Sequence, residues 1–486
     1  MDTNIKQLEP QTLWNNFANL NAVPRASKKE EQVIEFTMNF GKNLGLETVK
    51  DHVGNVLIKK PATAGMENRK TVVLQSHLDM VHQKNNETAF DFATEGIKMY
   101  RDGDWVKADG TTLGADNGIG VAAIMSLLES SDIPHPALEA LFTIDEETGM
   151  TGAKGLQGGL LEGEILLNLD TEEDDELDIG CAGGVDVSAT KKYTEENVPA
   201  NSLAFHITVK GLNGGHSGMD IHKGLGNANK IMNRLLWDGY ENFGLRISKI
   251  EGGGLRNAIP RESNAWMVIS TEKETNFLEN IHLKTQEITL EYQSLEPNLQ
   301  IVIKKCESPS KVMDVTTQEQ LIKAIYAAYN GVFRMSPDIE DLVEASNNVA
   351  RVEVSDGTIA VHNLTRSSVE SSKMDVANQL KATFELMGAT VEFSGSYPGW
   401  SPNVHSPILE TMTHLYEKMF AEKPKVMACH AGLECGILGT NYPTMDMISF
   451  GPTIQGAHSP DEKVCISSVQ KFWKFLLETL NNIPSK

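Results

Sequence analysis

The sequence predicts an α/β domain that is discontinuous in the chain and interrupted by a separate α+β domain. Three observations predict it. The first third alternates helical and strand patterns, the texture changes near Val185, and both patterns resume after a turn-rich joint at Tyr397-Pro398-Gly399-Trp400. At 486 residues the chain also exceeds what one hydrophobic core usually serves.

In chain order, Ser27-Lys28-Lys29-Glu30 has the form of a capping box, whose Ser and Glu side chains satisfy free amides at a helix start. Val33, Phe36 and Phe40 follow at helical spacing, and Gly45 offers a stop. Apolar runs of strand length cover residues 55–58, 71–75, 138–144 and 165–169, while 119–128 reads as a buried helix. Beyond Val185, alternation at 204–209, 265–270 and 359–364 predicts strands with one solvated face. Amphipathic patterns at 225–236, 275–292 and 318–329 predict helices between them.

Composition narrows the function. The 43 Lys+Arg against 66 Asp+Glu give a formal charge of −23, a field that repels phosphate backbones, so no nucleic-acid partner is expected. No stretch approaches the roughly 18–20 continuous apolar residues of a membrane span. Residues 1–10 have neither a basic n-region nor an apolar h-region, so a cytoplasmic protein with no membrane partner is expected. Cys181, Cys306, Cys429, Cys435 and Cys465 are odd in number, scattered and without CxxC spacing, and read as reduced thiols.

The residues that carry chemistry lie where apolar strands give way to loops. The run 71–75 leads into His77 and Asp79, which point to one side of an extended chain, and a carboxylate there can orient a metal-binding ring. Asp116 opens the buried helix among Gly114, Gly118 and Gly120. It reads either as an N-cap or as a functional group beside a sharply bent backbone. The run 138–144 ends in Asp145-Glu146-Glu147, carboxylates that repel one another unless solvated or neutralised by cations. The run 165–169 delivers Asp170, and a glycine-rich segment from Gly451 leads to His458. Singly, each has a plain structural reading. In combination, two His and several carboxylates form the ligand set for a pair of borderline divalent ions, with a carboxylate such as Asp116 between them. Two ions ~3.5–4 Å apart activate a water between them and polarise a carbonyl.

The runs SHLDMV, LGADNGIG, DEETGM, NLDTEE, NGGHSG, GGLRNAIPRE, YPGW, HAGLECG and GPTIQGAHSPDE resemble the zinc-dependent exopeptidase and aminoacylase family, which includes carboxypeptidases, dipeptidases and desuccinylases. The resemblance covers essentially the whole chain. It implies a mixed-sheet zinc-exopeptidase catalytic domain over 1–184 and 400–486, with an inserted α+β lid and dimerisation domain over 185–399. It implies two zinc ions per subunit, with cobalt or manganese as possible substitutes. His77 and Asp170 would hold one ion, Glu147 and His458 the other, and Asp116 would bridge them, followed by a cis peptide at Asp116–Asn117. Asp79 would orient His77, and Glu146 would be the general base.

In the inserted domain, His216 would reach the active site of the other subunit of a homodimer and stabilise the developing oxyanion. Asn257 and Arg366 would bind the substrate backbone or its terminal carboxylate, for which a planar guanidinium is suited. His430 and Glu434 would line the cleft. From the residues alone, His216 is a loop His in a glycine-rich turn and Arg366 a surface strand residue. An Asp at position 170 resembles the dipeptidase and aminopeptidase branch, where carboxypeptidases and aminoacylases more typically carry Glu. The implied activity is hydrolysis of dipeptides with a free N-terminus, Xaa-His and carnosine-like pairs included. The alternatives are an amide hydrolase acting on N-acylated amino acids and a non-catalytic binding protein on the same fold.

Overall fold

Runs of Val, Ile and Leu without polar alternation make stable strands where both sheet faces are covered. The computed structural model describes residues 4–486 and divides into two compact units. One comprises the chain up to Gly180, Trp400–Ala428 and Leu433–Lys486; the other comprises Cys181–Gly399 and Cys429–Gly432.

The first unit is built on an eight-stranded sheet: β1 (Glu47–Lys50), β2 (Val56–Lys60), β3 (Val72–His77), β4 (Leu138–Thr143), β5 (Ile165–Asn168), β6 (Glu176–Cys181), β7 (Lys425–Cys429) and β8 (Asp446–Ser449). Their order in space is β1-β2-β4-β3-β5-β8-β6-β7. The central strands β4, β3, β5 and β8 run parallel, whereas β2 joins β4 and β6 joins β8 antiparallel, so the sheet is mixed. Every residue of β3, β4 and β5 is buried, as their continuous apolar runs require. The sheet's parallel strands all end on one side, where ligands of open α/β sheets bind.

The expected buried helix is Ala115–Glu129, entered through Gly114 in the left-handed region at φ 69°. Gly120 serves another purpose: a Cβ there would lie 2.4 Å from Ser76 Oγ and 2.7 Å from the Leu169 carbonyl, so the helix can rest directly against the strand ends. The Asp116–Asn117 peptide is cis. The expected capping box does not form. Lys28 takes φ 64°, the helix begins only at Glu31, and Glu30 accepts from the Lys28 amide instead. Ser27 Oγ donates to Asp79 Oδ2, which turns a helix signal into a contact with the site.

The second unit is an α+β body around a nine-stranded sheet. Its members include Gly183–Lys192, Ser202–Lys210, Ser263–Ser270, Val343–Ser355 and Thr358–Ser367, paired antiparallel. The helices Ala228–Phe243, Glu274–Tyr292, Val315–Ala327 and Glu370–Leu386 share one core with the inward residues of these strands, among them Val187, Phe205, Ile207, Met267 and Val361. The alternation read at 204–209, 265–270 and 359–364 reflects this one-sided cover.

Candidate active site

Strand ends of the first unit supply a cluster of two imidazoles and several carboxylates. His77 is the last residue of β3, Glu146 and Glu147 follow β4, and Asp170 follows β5. His458 lies in the left-handed region at φ 64°, in the segment after β8. His77 Nε2 stands 3.0 Å from Asp116 Oδ1 and 3.5 Å from Asp170 Oδ1. His458 Nε2 stands 3.2 Å from Asp116 Oδ2 and 3.0 Å from Glu147 Oε2. Asp116 thus gives one oxygen to each of two triads. A tetrahedral ion with bonds of about 2.0–2.1 Å holds its ligand atoms about 3.3 Å apart, and the imidazole-to-carboxylate distances of both triads are close to that.

The electrostatics call for positive charge at the same place. His458 is pushed up to about 11 by its hydrogen bonds to Asp116 and Glu147, and the carboxylates around His77 raise that imidazole well above its usual value against the effect of burial. Burial raises Glu146 far above the usual carboxylate range, with Asp170, Glu147 and Glu434 adding to it. Burial also lifts Asp170 to about 6 and Glu172, which sequence reasoning passed over, to about 8. Glu147 Oε1 is buried without a hydrogen-bond partner. Carboxylates with unfilled lone pairs, crowded around two imidazoles, are a donor set suited to borderline divalent cations.

Asp79 meets both the His77 ring and the turn after β4. Its backbone carbonyl lies 3.1 Å and its Oδ1 3.4 Å from His77 Nδ1. The same carboxylate accepts the amides of Glu146 at 3.0 Å and Glu147 at 3.3 Å. Through one side chain the turn after β4 is tied to the end of β3.

Beneath the cluster a hydrogen-bonded ladder crosses five adjacent strands. Thr143 on β4 and Gln75 on β3 both donate to Glu434 Oε2. Asn168 on β5 donates to Gln75, and Ser449 on β8 donates to Asn168. Thr171 Oγ1 lies 2.8 Å from Ser449 Oγ and 2.8 Å from Asp178 Oδ2 on β6. Glu434, expected to line the cleft, is therefore bound into the end of the sheet with no exposed surface, and burial pushes it up to about 8.

In the second unit a different group assembles. His216 Nδ1 accepts the amides of Gly218 at 3.3 Å and Met219 at 3.0 Å, so the neutral ring carries its proton on Nε2. That Nε2 faces Arg366 Nη2 at 3.3 Å. Arg366 is not the surface residue its strand pattern suggested: it is 4% exposed, because its strand lies inside the sheet. It donates to the Tyr397 hydroxyl at 2.8 Å and to Ser217 Oγ at 3.4 Å, and among the described residues no carboxylate lies within ion-pair distance of it. His430 bonds Ser346 Oγ through Nε2 at 2.8 Å, and burial, with Arg366 and His216 nearby, drives it down to about 3. Asn257 is exposed on a loop whose carbonyl accepts the Ser217 amide. Asn348 holds that loop by donating to the carbonyls of Arg256 and Ala258. A buried guanidinium that meets two hydroxyls and the His216 ring, with no carboxylate beside it, is an arrangement suited to an anion.

Residues 73–482 match the family described as Peptidase family M20/M25/M40. The chain belongs to that peptidase family. It is 45% identical over 483 residues to the cytosol non-specific dipeptidase of Escherichia coli (strain K12), covering 99% of each chain. It is similar to the crystal structure of aminoacylhistidine dipeptidase from Vibrio alginolyticus, with a TM-score of 0.93, 44% identity and 99% of each chain covered. The aminopeptidase PepT of Bacillus cereus, at 16% identity and a TM-score of 0.57 over 98% of this chain and 99% of that one, shares the fold. As a member of this metallopeptidase family the chain binds divalent metal. Among the described residues no helix is long and apolar enough to cross a membrane.

Proposed function

We propose that this chain is a dinuclear, zinc-dependent dipeptidase that cleaves short peptides with a free N-terminus, Xaa-His pairs included. The observation that carries the reading is the division of Asp116, whose two oxygens face two separate His-carboxylate triads. Full-length similarity to dipeptidases supports the substrate class. His77, Asp170 and Asp116 would hold one ion, and Glu147, His458 and Asp116 the other. When bound, such a pair lowers the pKa of a water between them and polarises the scissile carbonyl.

The chain's own residues do the rest. Glu146, kept basic by its buried acidic surroundings, takes a proton from the attacking water and passes it to the leaving amine. His216 donates its Nε2 proton to the oxyanion that develops at the carbonyl; by resemblance it acts in the other subunit of a homodimer. Arg366 takes the terminal carboxylate in a bidentate manner, with Tyr397 and Ser217 fixing its plane. Asn257 holds the peptide backbone, and His430, neutral at ordinary pH, lines the same cluster without adding charge. The test compares a dipeptide with its N-acetylated form and with an N-acetyl amino acid. Cleavage of the free dipeptide alone is expected. Release of acyl groups with no dipeptide cleavage would leave the centre intact and replace the substrate.

A further inference from the structure

The loop that presents Asp116 is held by a residue far away in sequence. Glu462 is 2% exposed, and its carboxylate accepts four backbone amides in succession. Oε2 accepts from Leu113 at 2.7 Å and Gly114 at 2.9 Å; Oε1 accepts from Ala115 at 2.7 Å and Asp116 at 3.3 Å. The carbonyls of the same loop are bound from the other side. Asn21 donates to Leu113 O at 2.9 Å, and the buried guanidinium of Arg25 donates to Gly114 O at 2.5 Å. Four converging amides form a nest that suits an anion. Without them Glu462 would be one more buried, unpaired carboxylate beside Asp116, Asp170 and Glu147, a costly arrangement.

Glu462 also belongs to the turn that carries His458. The Ser459 amide bonds the Gly456 carbonyl, and the Glu462 amide bonds the Ser459 carbonyl. This turn sends His458 toward Asp116 Oδ2 and Glu462 beneath the Asp116 backbone. One side chain therefore sets the register between two loops that each contribute to the second triad.

We propose that Glu462 is a positioning residue for the metal centre, fixing the backbone of 113–116 so that Asp116 turns one oxygen to each triad. The proposal rests on the dinuclear reading given above. It requires a carboxylate, since an amide of the same shape offers one acceptor oxygen and points its NH2 at two amide donors.

Glu462→Gln preserves volume and tests this. Metal-stripped wild-type and variant proteins are titrated with Co2+ in competition with a chromogenic chelator, beside thermal melts and dipeptide turnover. Affinity for at least one Co2+ equivalent is expected to fall roughly 10–100-fold, as for other residues that orient metal ligands. Both titrations are run on folded protein below the variant's melting temperature, so that the stability lost with two unsatisfied amides does not by itself lower Co2+ affinity. Wild-type Co2+ affinity in the variant overturns the proposal. Should the variant not fold, deuterium exchange of the metal-stripped wild-type protein decides: amides 113–116 are expected to be protected, and exchange at the rate of open loops overturns the proposal. A wild-type protein that binds Co2+ but cleaves no dipeptide defeats the substrate reading and leaves this test standing.

Discussion

Asp116 gives one oxygen to each imidazole, whereas Glu146, within 4.8 Å of His77 and Glu147, makes no hydrogen bond to either imidazole. Substitutions at the two positions should therefore part company. Glu146→Gln is expected to retain its metal, measured by atomic absorption, while kcat falls about 10²- to 10⁴-fold. Full activity in a metal-replete variant would remove Glu146 from the mechanism. Asp178, at the far end of the ladder, offers a second residue-scale prediction. Ser449 spends its hydroxyl proton on Asn168, so Thr171 must donate to Ser449, and the ladder closes when a protonated Asp178 donates to Thr171. Burial pushes Asp178 up from 3.8 to about 7, which agrees. Between those values the folded protein binds the extra proton, so this carboxyl's contribution to stability declines as pH rises through that window. Asp178→Asn keeps a donor and cannot ionise. Its melting temperature should exceed that of wild type at pH 8 and match it near pH 4; an equal difference at both pH values would contradict a protonated Asp178.

Among the elements, β3, β4 and β5 were legible because a strand covered on both faces must be apolar throughout, and few other structures need a run that short and pure. The ligands at their ends were legible for a related reason: polar residues that interrupt such runs stand out. Val343–Ser355 was not legible as a strand. Ser346, Asn347 and Asn348 give it the look of a loop, yet all three are buried and bonded, Asn348 to the loop of Asn257 and Ser346 to His430. Ser27 and Glu30 misled in the opposite direction, since a local cap pattern yielded to a distant contact with Asp79. Glu462 gave no local signal at all, because its partners are amides as many as 349 residues away. The ladder carries the prediction at this scale. Asn168→Ala leaves Ser449 and Gln75 without their buried partners and should destabilise the first unit by about 1–3 kcal/mol for each group left unsatisfied, read from urea unfolding. A change within a few tenths would mean that the ladder does not lock the strand ends.

For the whole molecule, the charge of −23 fits an enzyme of small peptides rather than a binder of polyanions. The proposed homodimer, with His216 acting across it, can be tested by complementation. Glu146→Ala and His216→Ala chains are each expected to be nearly inactive. Mixed after dissociation, half the dimers pair the two variants and regain one intact site, restoring about a quarter of wild-type activity. No recovery would place His216 in its own chain's site or outside the chemistry. A metal-dependent dipeptidase centred on Asp116 is tested by hydrolysis of β-alanyl-histidine and several α-dipeptides before chelation, after chelation and after zinc is restored. Cleavage is expected to disappear with the metal and return with it, while N-acetyl amino acids remain intact. Dipeptide cleavage that persists after complete removal of metal would contradict it.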